Sequence, residues 1–195
     1  RIIVFCDGTS NSAKAKNEEI EAPTNVHRLY TMVSRFDQND LPQIPIYDPG
    51  VGTNTSRQAI LAQRLASIAE TLSAKRIATQ TKRYSKFREI WELATGAGLL
   101  ENVEQGYREI VRLYAPGDEI WLFGFSRGAY TVRCIAGVIG RCGLLKPEHI
   151  RFVPDVLLLY RRRPAYAGSG LVAPEYVYPD VKIRFMGLWD TVASL

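Results

Sequence analysis

A serine framed by glycines is the pattern in this chain that most clearly predicts chemistry. Gly124, Ser126 and Gly128 form a G-x-S-x-G sequence that directly follows the apolar run from Ile120 to Phe125 and directly precedes a helix-like segment. A sharp strand-to-helix turn of this kind lifts the serine hydroxyl above the edge of a sheet, where it can attack an ester carbonyl. The alternative interpretation is a tight turn whose serine has no chemical role.

Backbone N–H groups near this serine could stabilise the oxyanion of an acyl-transfer intermediate. The N–H of Arg127 would be the first donor, and the start of the following helix directs its positive dipole end at the same point. Asp7, Gly8 and Thr9 follow another buried apolar run, so this loop could supply the second donor or contact the substrate. Asp7 could instead brace the loop through hydrogen bonds. The side chain of Arg127 is either a surface cation or a contact for an anionic substrate.

Asp190 is the candidate acid. It follows the apolar run from Ile183 to Trp189, and active sites of open α/β sheets form at the carboxyl ends of such strands. Its position after the serine matches the order serine, acid, histidine, in which the acid orients the histidine and stabilises the imidazolium. The alternative is a helix N-cap just beyond a strand.

The chain offers two histidines as candidate bases, His27 and His149. His27 falls off the apolar stripe of its predicted helix and is expected to be exposed, and His149 is expected at a helix start or on the surface. Either one would break the expected chain order of the three catalytic groups. We therefore expect the base to lie beyond Leu195, and the chain to be the N-terminal part of a longer catalytic domain.

The pattern of predicted elements indicates how these residues are positioned. Apolar runs predict strands over 2–6, 44–47, 120–125 and 183–189, and helical spacing predicts helices over 24–36, 58–77, 99–114, 127–139 and 153–163. Strands that alternate with helices predict an α/β fold with a mostly parallel sheet covered on both faces, here of the α/β-hydrolase kind. We expect one domain over 1–195, with 54–92 as a possible helical insertion or lid. The helix over 58–77 is either an ordinary packing helix or a lid or membrane-docking element.

Composition narrows the class of protein further. Hydrophobic residues make up 46% and charged residues 23%, as in a globular domain, and the net charge of +5 favours anionic partners such as phospholipid head groups. No nucleic-acid-binding motif is present. The three cysteines have neither a metal-ligand spacing nor an even number, and Cys6 and Cys134 lie in apolar stretches, which predicts buried free thiols. We expect no metal or cofactor. The chain contains no run of eighteen apolar residues and no signal peptide, so we expect a cytoplasmic location.

Six segments in the same order resemble the uncharacterised α/β-hydrolase domain family that includes the type VI secretion phospholipase effectors (the first lipase-effector family). The similarity covers nearly the whole chain except 54–92. It implies hydrolysis of ester bonds, best known for phospholipids, with Ser126 as nucleophile, Asp190 as acid and a histidine further downstream. Delivery by a secretion system does not follow from it. The segments are 5–9, 23–26, 47–53, 117–119, 124–130 and 187–192.

Two other functions are compatible with the sequence. Asp7 in Asp-Gly-Thr after a strand is similar to the nucleophile of haloacid-dehalogenase-like phosphatases, although the second aspartate that such enzymes carry two residues later is missing. A non-catalytic scaffold that has kept the fold and lost the base is the other alternative. Substrates under the preferred hypothesis are lipids or small esters, with possible contact to a membrane surface.

Overall fold

A sheet of four parallel strands forms the centre of the fold. The computed structural model describes residues 1–8, 23–50, 99–162 and 170–192. The strands in chain order are β1 (Ile2–Cys6), β2 (Ile44–Asp48), β3 (Ile120–Phe125), β4 (Leu144–Leu145), β5 (Val177–Tyr178) and β6 (Ile183–Trp189). The central sheet has the strand order β2-β1-β3-β6, and β4 and β5 form a separate antiparallel pair.

Helices cover both faces of this sheet. They are α1 (Asn25–Met32), α2 (99–113), α3 (Arg127–Cys142) and α4 (Val153–Arg162), with short 3-10 turns at Pro147–Phe152 and Pro174–Tyr176. The side chains of β1 alternate, so Val4 packs in the cluster formed with α2, α3 and α4, whereas Phe5 packs in a second cluster with Val26 of α1. The predicted fold class, a mostly parallel sheet with helices on both faces, is confirmed.

Two helix ends differ from the sequence prediction. The sequence predicts that α3 ends at about Ile139, stopped by Gly140 and Gly143; the helix continues past Gly140 to Cys142 and ends at Gly143, whose φ is +82°. A Cβ at Gly140 would meet nothing within 4 Å, so this glycine is an ordinary helical residue. Helix α1 ends at Met32, earlier than predicted, and Phe36 forms an isolated antiparallel bridge with Pro42.

The helix and the insertion or lid predicted between residues 54 and 92 stay predictions. The helix expected over 58–77 and the possible insertion or lid at 54–92 both lie outside the described residues. Within the described ranges, no helix combines the length and apolar character needed to cross a membrane.

Cys6, Cys134 and Cys142 are buried thiols that form no disulfide, as predicted. Burial raises the pKa of the Cys6 thiol well above its usual value and that of Cys134 to about 11. At pH 8 only about one thousandth of such a thiol is thiolate, the reactive form. We expect an aromatic disulfide reagent at pH 8 to modify none of the three within minutes in the folded protein, and all three in denaturant. Rapid modification of any of them before unfolding would contradict this burial.

Candidate active site

Ser126 lies in a strained turn between β3 and α3. Its backbone has φ 54° and ψ −120°, a region that residues with a side chain rarely adopt. The side chain is half-buried, and its hydroxyl does not cap the helix that follows. Strain of this kind persists only where the surrounding structure enforces it, and it is concentrated at functional sites. The sequence motif therefore adopts the strand-turn-helix context that it requires.

The two glycines of the motif permit close approach of backbone to backbone. A Cβ on Gly124 would lie 2.5 Å from the carbonyl oxygen of Gly128 and 2.6 Å from the backbone nitrogen of Ala129. A Cβ on Gly128 would overlap the carbonyl oxygen of Cys6 and lie 2.6 Å from that of Asp7. Gly124 thus allows the turn itself, whereas Gly128 lets the first turn of α3 pack directly on the end of β1.

The end of β6 is bound to the same turn. The N–H of Ser126 donates to the carbonyl oxygen of Trp189 at 2.9 Å, and the N–H of Val192 donates to the carbonyl oxygen of Ser126 at 3.3 Å. Asp190 lies between these two partners, is exposed and has φ 41°. The structure therefore places Asp190 at the same sheet edge as Ser126, in a turn fixed to it on both sides.

Asp7 lies at the centre of a hydrogen-bond network after β1. Its residue is 1% exposed, and its Oδ2 accepts from Thr24 Oγ1 at 2.6 Å and from Tyr47 Oη at 2.8 Å. Its Oδ1 accepts from the N–H of Gly8 at 2.9 Å. Both carboxylate oxygens are thus engaged inside the protein, which is the bracing role that the sequence left open for this residue.

The carboxyl ends of β1 and β2 are packed backbone against backbone. The N–H of Asp7 donates to the carbonyl oxygen of Asp48 at 2.8 Å, and a Cβ on Gly50 would lie 2.5 Å from the carbonyl oxygen of Gly8. Burial raises the pKa of Asp48, and the nearby Asp7 carboxylate also raises it, whereas the hydrogen bond from the Gly50 N–H lowers it. The loop of Asp7 and Gly8, here called the β1 loop, is held from both sides. Thr9, also a predicted site residue, lies outside the described residues.

Arg127 begins α3 next to the serine. It is half-buried, and α3 has no acidic residue in its first turn. Among the described residues, no carboxylate or carbonyl is bonded to its guanidinium. The N-terminal end of α3 and this guanidinium each contribute positive charge beside Ser126.

The rings of both histidines pack on aromatic side chains, and in the described part of the chain no hydrogen bond joins either ring to Ser126. His149 is in the 3-10 turn beyond the C-terminus of α3, whose 16 residues rise about 24 Å from the serine. His27 is half-buried, not exposed as predicted, because its ring packs on Tyr47 at 5.3 Å and near Tyr30 at 6.3 Å. Tyr47 belongs to β2, which is two strands from β3 in the sheet.

Two residues of this edge carry roles that the sequence reasoning did not assign. Thr24 is the first residue of the helix predicted over 24–36; it is the N-cap of α1, where its Oγ1 accepts from the N–H of His27 at 3.0 Å, and it also donates to Asp7. Tyr47 belongs to a predicted strand and to the resemblance segment 47–53, neither of which assigns it a contact with Asp7. Its contact with Asp7 follows from the parallel register in which Phe5 pairs with Tyr47, and that register was not known from the sequence.

In the described part of the chain, no group of three His, Cys, Asp or Glu side chains is placed to hold a metal ion. A serine hydroxyl, backbone N–H groups and carboxylates at one sheet edge can perform acyl transfer by nucleophilic attack.

Comparison with known proteins gives one family and one curated relative. The family model described as "T6SS, Phospholipase effector Tle1-like, catalytic domain" matches residues 1–195. The chain is 27% identical over 205 residues to the uncharacterized protein YEL023C of Saccharomyces cerevisiae. That alignment covers 100% of this chain but 27% of the yeast protein, so the chain spans about a quarter of that relative's length. No solved structure matches the chain.

Proposed function

The chain belongs to the family of Tle1-like phospholipase effector catalytic domains, and we propose that it is a serine esterase that cleaves carboxylic ester bonds of phospholipids through Ser126. Family membership supports a lipase or phospholipase function. We further propose the serine mechanism, the catalytic residues and the activity of the whole protein.

The strained serine turn is the observation that carries the proposal. Ser126 is held at φ 54° at the carboxyl edge of a parallel sheet, with its backbone bonded to both sides of the Asp190 turn. Active sites of open α/β sheets form at this edge. A turn that only reversed the chain would not require a residue with a side chain to adopt this conformation.

The proposed reaction has two steps. The Oγ of Ser126 attacks the ester carbonyl carbon and transfers its proton to a base, and the C–O bond to the glycerol oxygen then breaks as that oxygen takes the proton from the base. In the second step the base takes a proton from water as the water oxygen attacks the acyl-enzyme, and it returns the proton to Ser126 Oγ as the fatty acid leaves. The N–H of Arg127 stabilises the oxyanion in both steps, because it follows the nucleophile at the start of α3.

We infer that the second oxyanion donor lies in the segment that follows β1. The N–H of Gly8 donates to Asp7 Oδ1, so it is already engaged. The proposal assigns the role to Thr9, the next residue in the chain, and Gly8 allows the backbone to approach the substrate closely.

A histidine outside residues 1–195 is the proposed base, as the resemblance implied. His149 lies at the far end of α3, and the ring of His27 packs on Tyr47 of β2, which is two strands from β3 in the sheet. Asp190 would orient that histidine from its exposed position beside Ser126 and stabilise the imidazolium.

The test uses the full-length protein and vesicles of phosphatidylcholine. Mass spectrometry should detect released fatty acid and lysophospholipid, and a fluorophosphonate probe should label the peptide that contains Ser126. The absence of both products, or labelling confined to another residue, would refute the proposed function.

Arg127 provides a prediction about the substrate class. Its guanidinium is half-buried beside Ser126 and unpaired among the described residues, so it can bind the phosphate of a lipid head group. We expect Arg127→Gln to lower kcat/KM for phosphatidylcholine about tenfold, the loss of one charge-assisted hydrogen bond. The same variant should change kcat/KM for a neutral short-chain ester less than about twofold, since its backbone N–H is retained.

The control for this prediction is Arg133→Gln. Arg133 is exposed on the same helix, so its replacement removes one positive charge from α3 at a position that is not next to Ser126. In high salt, Arg133→Gln should leave kcat/KM unchanged for both the phospholipid and the neutral ester. If Arg127→Gln lowers kcat/KM equally for the phospholipid and the neutral ester, the Arg127 side chain does not bind the phosphate.

A further inference from the structure

We propose that Thr24 and Tyr47 are positioning residues that hold the Asp7 carboxylate and, through it, set the β1 loop against the serine turn. This inference rests on the proposed function, because its consequence is the quality of the oxyanion site. Neither hydroxyl needs to touch the substrate.

The network joins three separate parts of the chain at one buried charge. Asp7 receives one hydroxyl from the N-cap of α1, one from β2 and one N–H from its own loop. A carboxylate at 1% exposure is costly unless it is hydrogen-bonded, and hydroxyl donors at 2.6 and 2.8 Å are in the range of charge-assisted bonds. The two hydroxyls therefore determine where this carboxylate can lie.

The phenol of Tyr47 is suited to a permanent donor role. Burial and the bond to the Asp7 carboxylate raise the pKa of Tyr47 above its usual value, so the hydroxyl keeps its proton throughout the assay range. The ring itself is fixed by stacking on Tyr30 at 4.9 Å between centroids and by the edge contact with His27. The donor thus has a fixed position as well as a fixed protonation state.

The position of Asp7 is transmitted directly to the serine turn. Its carbonyl oxygen lies between two glycines: a Cβ on Gly50 would be 2.7 Å from it, and a Cβ on Gly128 would be 2.6 Å from it. With backbone this close on both sides, the β1 loop cannot shift without displacing Gly128, two residues after Ser126. The oxyanion forms in the transition state and not in the bound ester, so a misplaced loop lowers kcat more than it raises KM.

The experiment compares rates per active site in the full-length protein. Fluorophosphonate titration counts the competent sites, so partial misfolding lowers that count and not the rate per site. We expect Tyr47→Phe and Thr24→Val each to lower kcat per titrated site about tenfold with KM within about twofold of wild type. Thr24→Ser, which keeps both hydrogen bonds of the hydroxyl, should restore the wild-type rate.

Tyr107→Phe is the matched control for a purely structural loss. The Tyr107 hydroxyl is also buried and twice bonded, to the Gly143 carbonyl at 2.9 Å and the Leu145 N–H at 3.1 Å, but it lies at the far end of α3. It should lower thermal stability and leave kcat per titrated site unchanged. If Tyr47→Phe and Thr24→Val behave in the same way as Tyr107→Phe, the positioning role is refuted while the serine mechanism stands. If the wild-type protein is not labelled at Ser126, the proposed function fails and this inference falls with it.

Discussion

Replacement of Ser126 by alanine is expected to abolish ester hydrolysis, with kcat lowered by about a million-fold, as for the loss of the nucleophile in other serine hydrolases. Without Oγ no acyl-enzyme can form, and the remaining N–H donors can only polarise the carbonyl towards water. The measurement is the initial rate of short-chain ester and phosphatidylcholine hydrolysis by the full-length protein, together with fluorophosphonate labelling. KM for the lipid should change little, because the hydroxyl contributes mainly to the transition state.

Ser34→Ala is the control for this substitution. Ser34 is exposed and donates to the carbonyl oxygen of Phe36 in the connection between α1 and β2, far from the carboxyl edge of the sheet. Its replacement should leave both activity and labelling intact. Ester hydrolysis that persisted in Ser126→Ala would contradict the serine mechanism.

The same experiment separates the two alternatives to an esterase. A phosphatase with Asp7 as its nucleophile would keep its activity in Ser126→Ala and lose it in Asp7→Ala. The engaged oxygens of Asp7 and its 1% exposure argue against that chemistry. A non-catalytic scaffold would show no hydrolysis and no labelling in the wild type or in any variant. Such a protein would have no need to retain the strained φ of Ser126.

Much of the central sheet could be predicted from the sequence. The bounds of β1, β3 and β6 agree with the predicted strands, because each is a short apolar run followed by serine or aspartate. In the two innermost strands, β1 and β3, one or both faces are buried, so local composition reflects tertiary burial directly. Ser126 could be identified for a related reason, since Gly124 and Gly128 on either side of it are needed where backbone packs directly on backbone.

Other features depend on contacts between distant parts of the chain. Thr24, Tyr47 and Asp7 are separated by 17 and 40 residues and meet only once the register of β1 and β2 is set. The two-residue pair of β4 and β5 is too short to produce a period in the sequence. Gly140 and Gly143 look alike as helix stops, and only the positive φ of Gly143 distinguishes them.

Gly128→Ala is expected to be among the most destabilising single substitutions in this chain, at about 3 kcal/mol. The added methyl would overlap the carbonyl oxygen of Cys6 and lie 2.6 Å from that of Asp7, and both are backbone atoms of a central strand and its loop. Overpacking against backbone cannot be relieved by a change of rotamer, so either α3 or the end of β1 must move. Movement of either one displaces the serine turn, so both the rate of ester hydrolysis and the free energy of unfolding should be lower in this variant.

Gly140→Ala in the same helix provides the matched comparison. Gly140 is exposed, and a Cβ there would meet nothing within 4 Å, so the change should raise the free energy of unfolding by about 0.5 to 1 kcal/mol through helix propensity alone. Denaturant unfolding of the two variants should therefore differ by about 4 kcal/mol, with wild-type activity retained in Gly140→Ala. The contrast isolates the contact with β1 from the intrinsic effect of glycine in a helix. Equal stabilities would mean that α3 does not approach β1 this closely, and the link from the β1 loop to the serine would be lost.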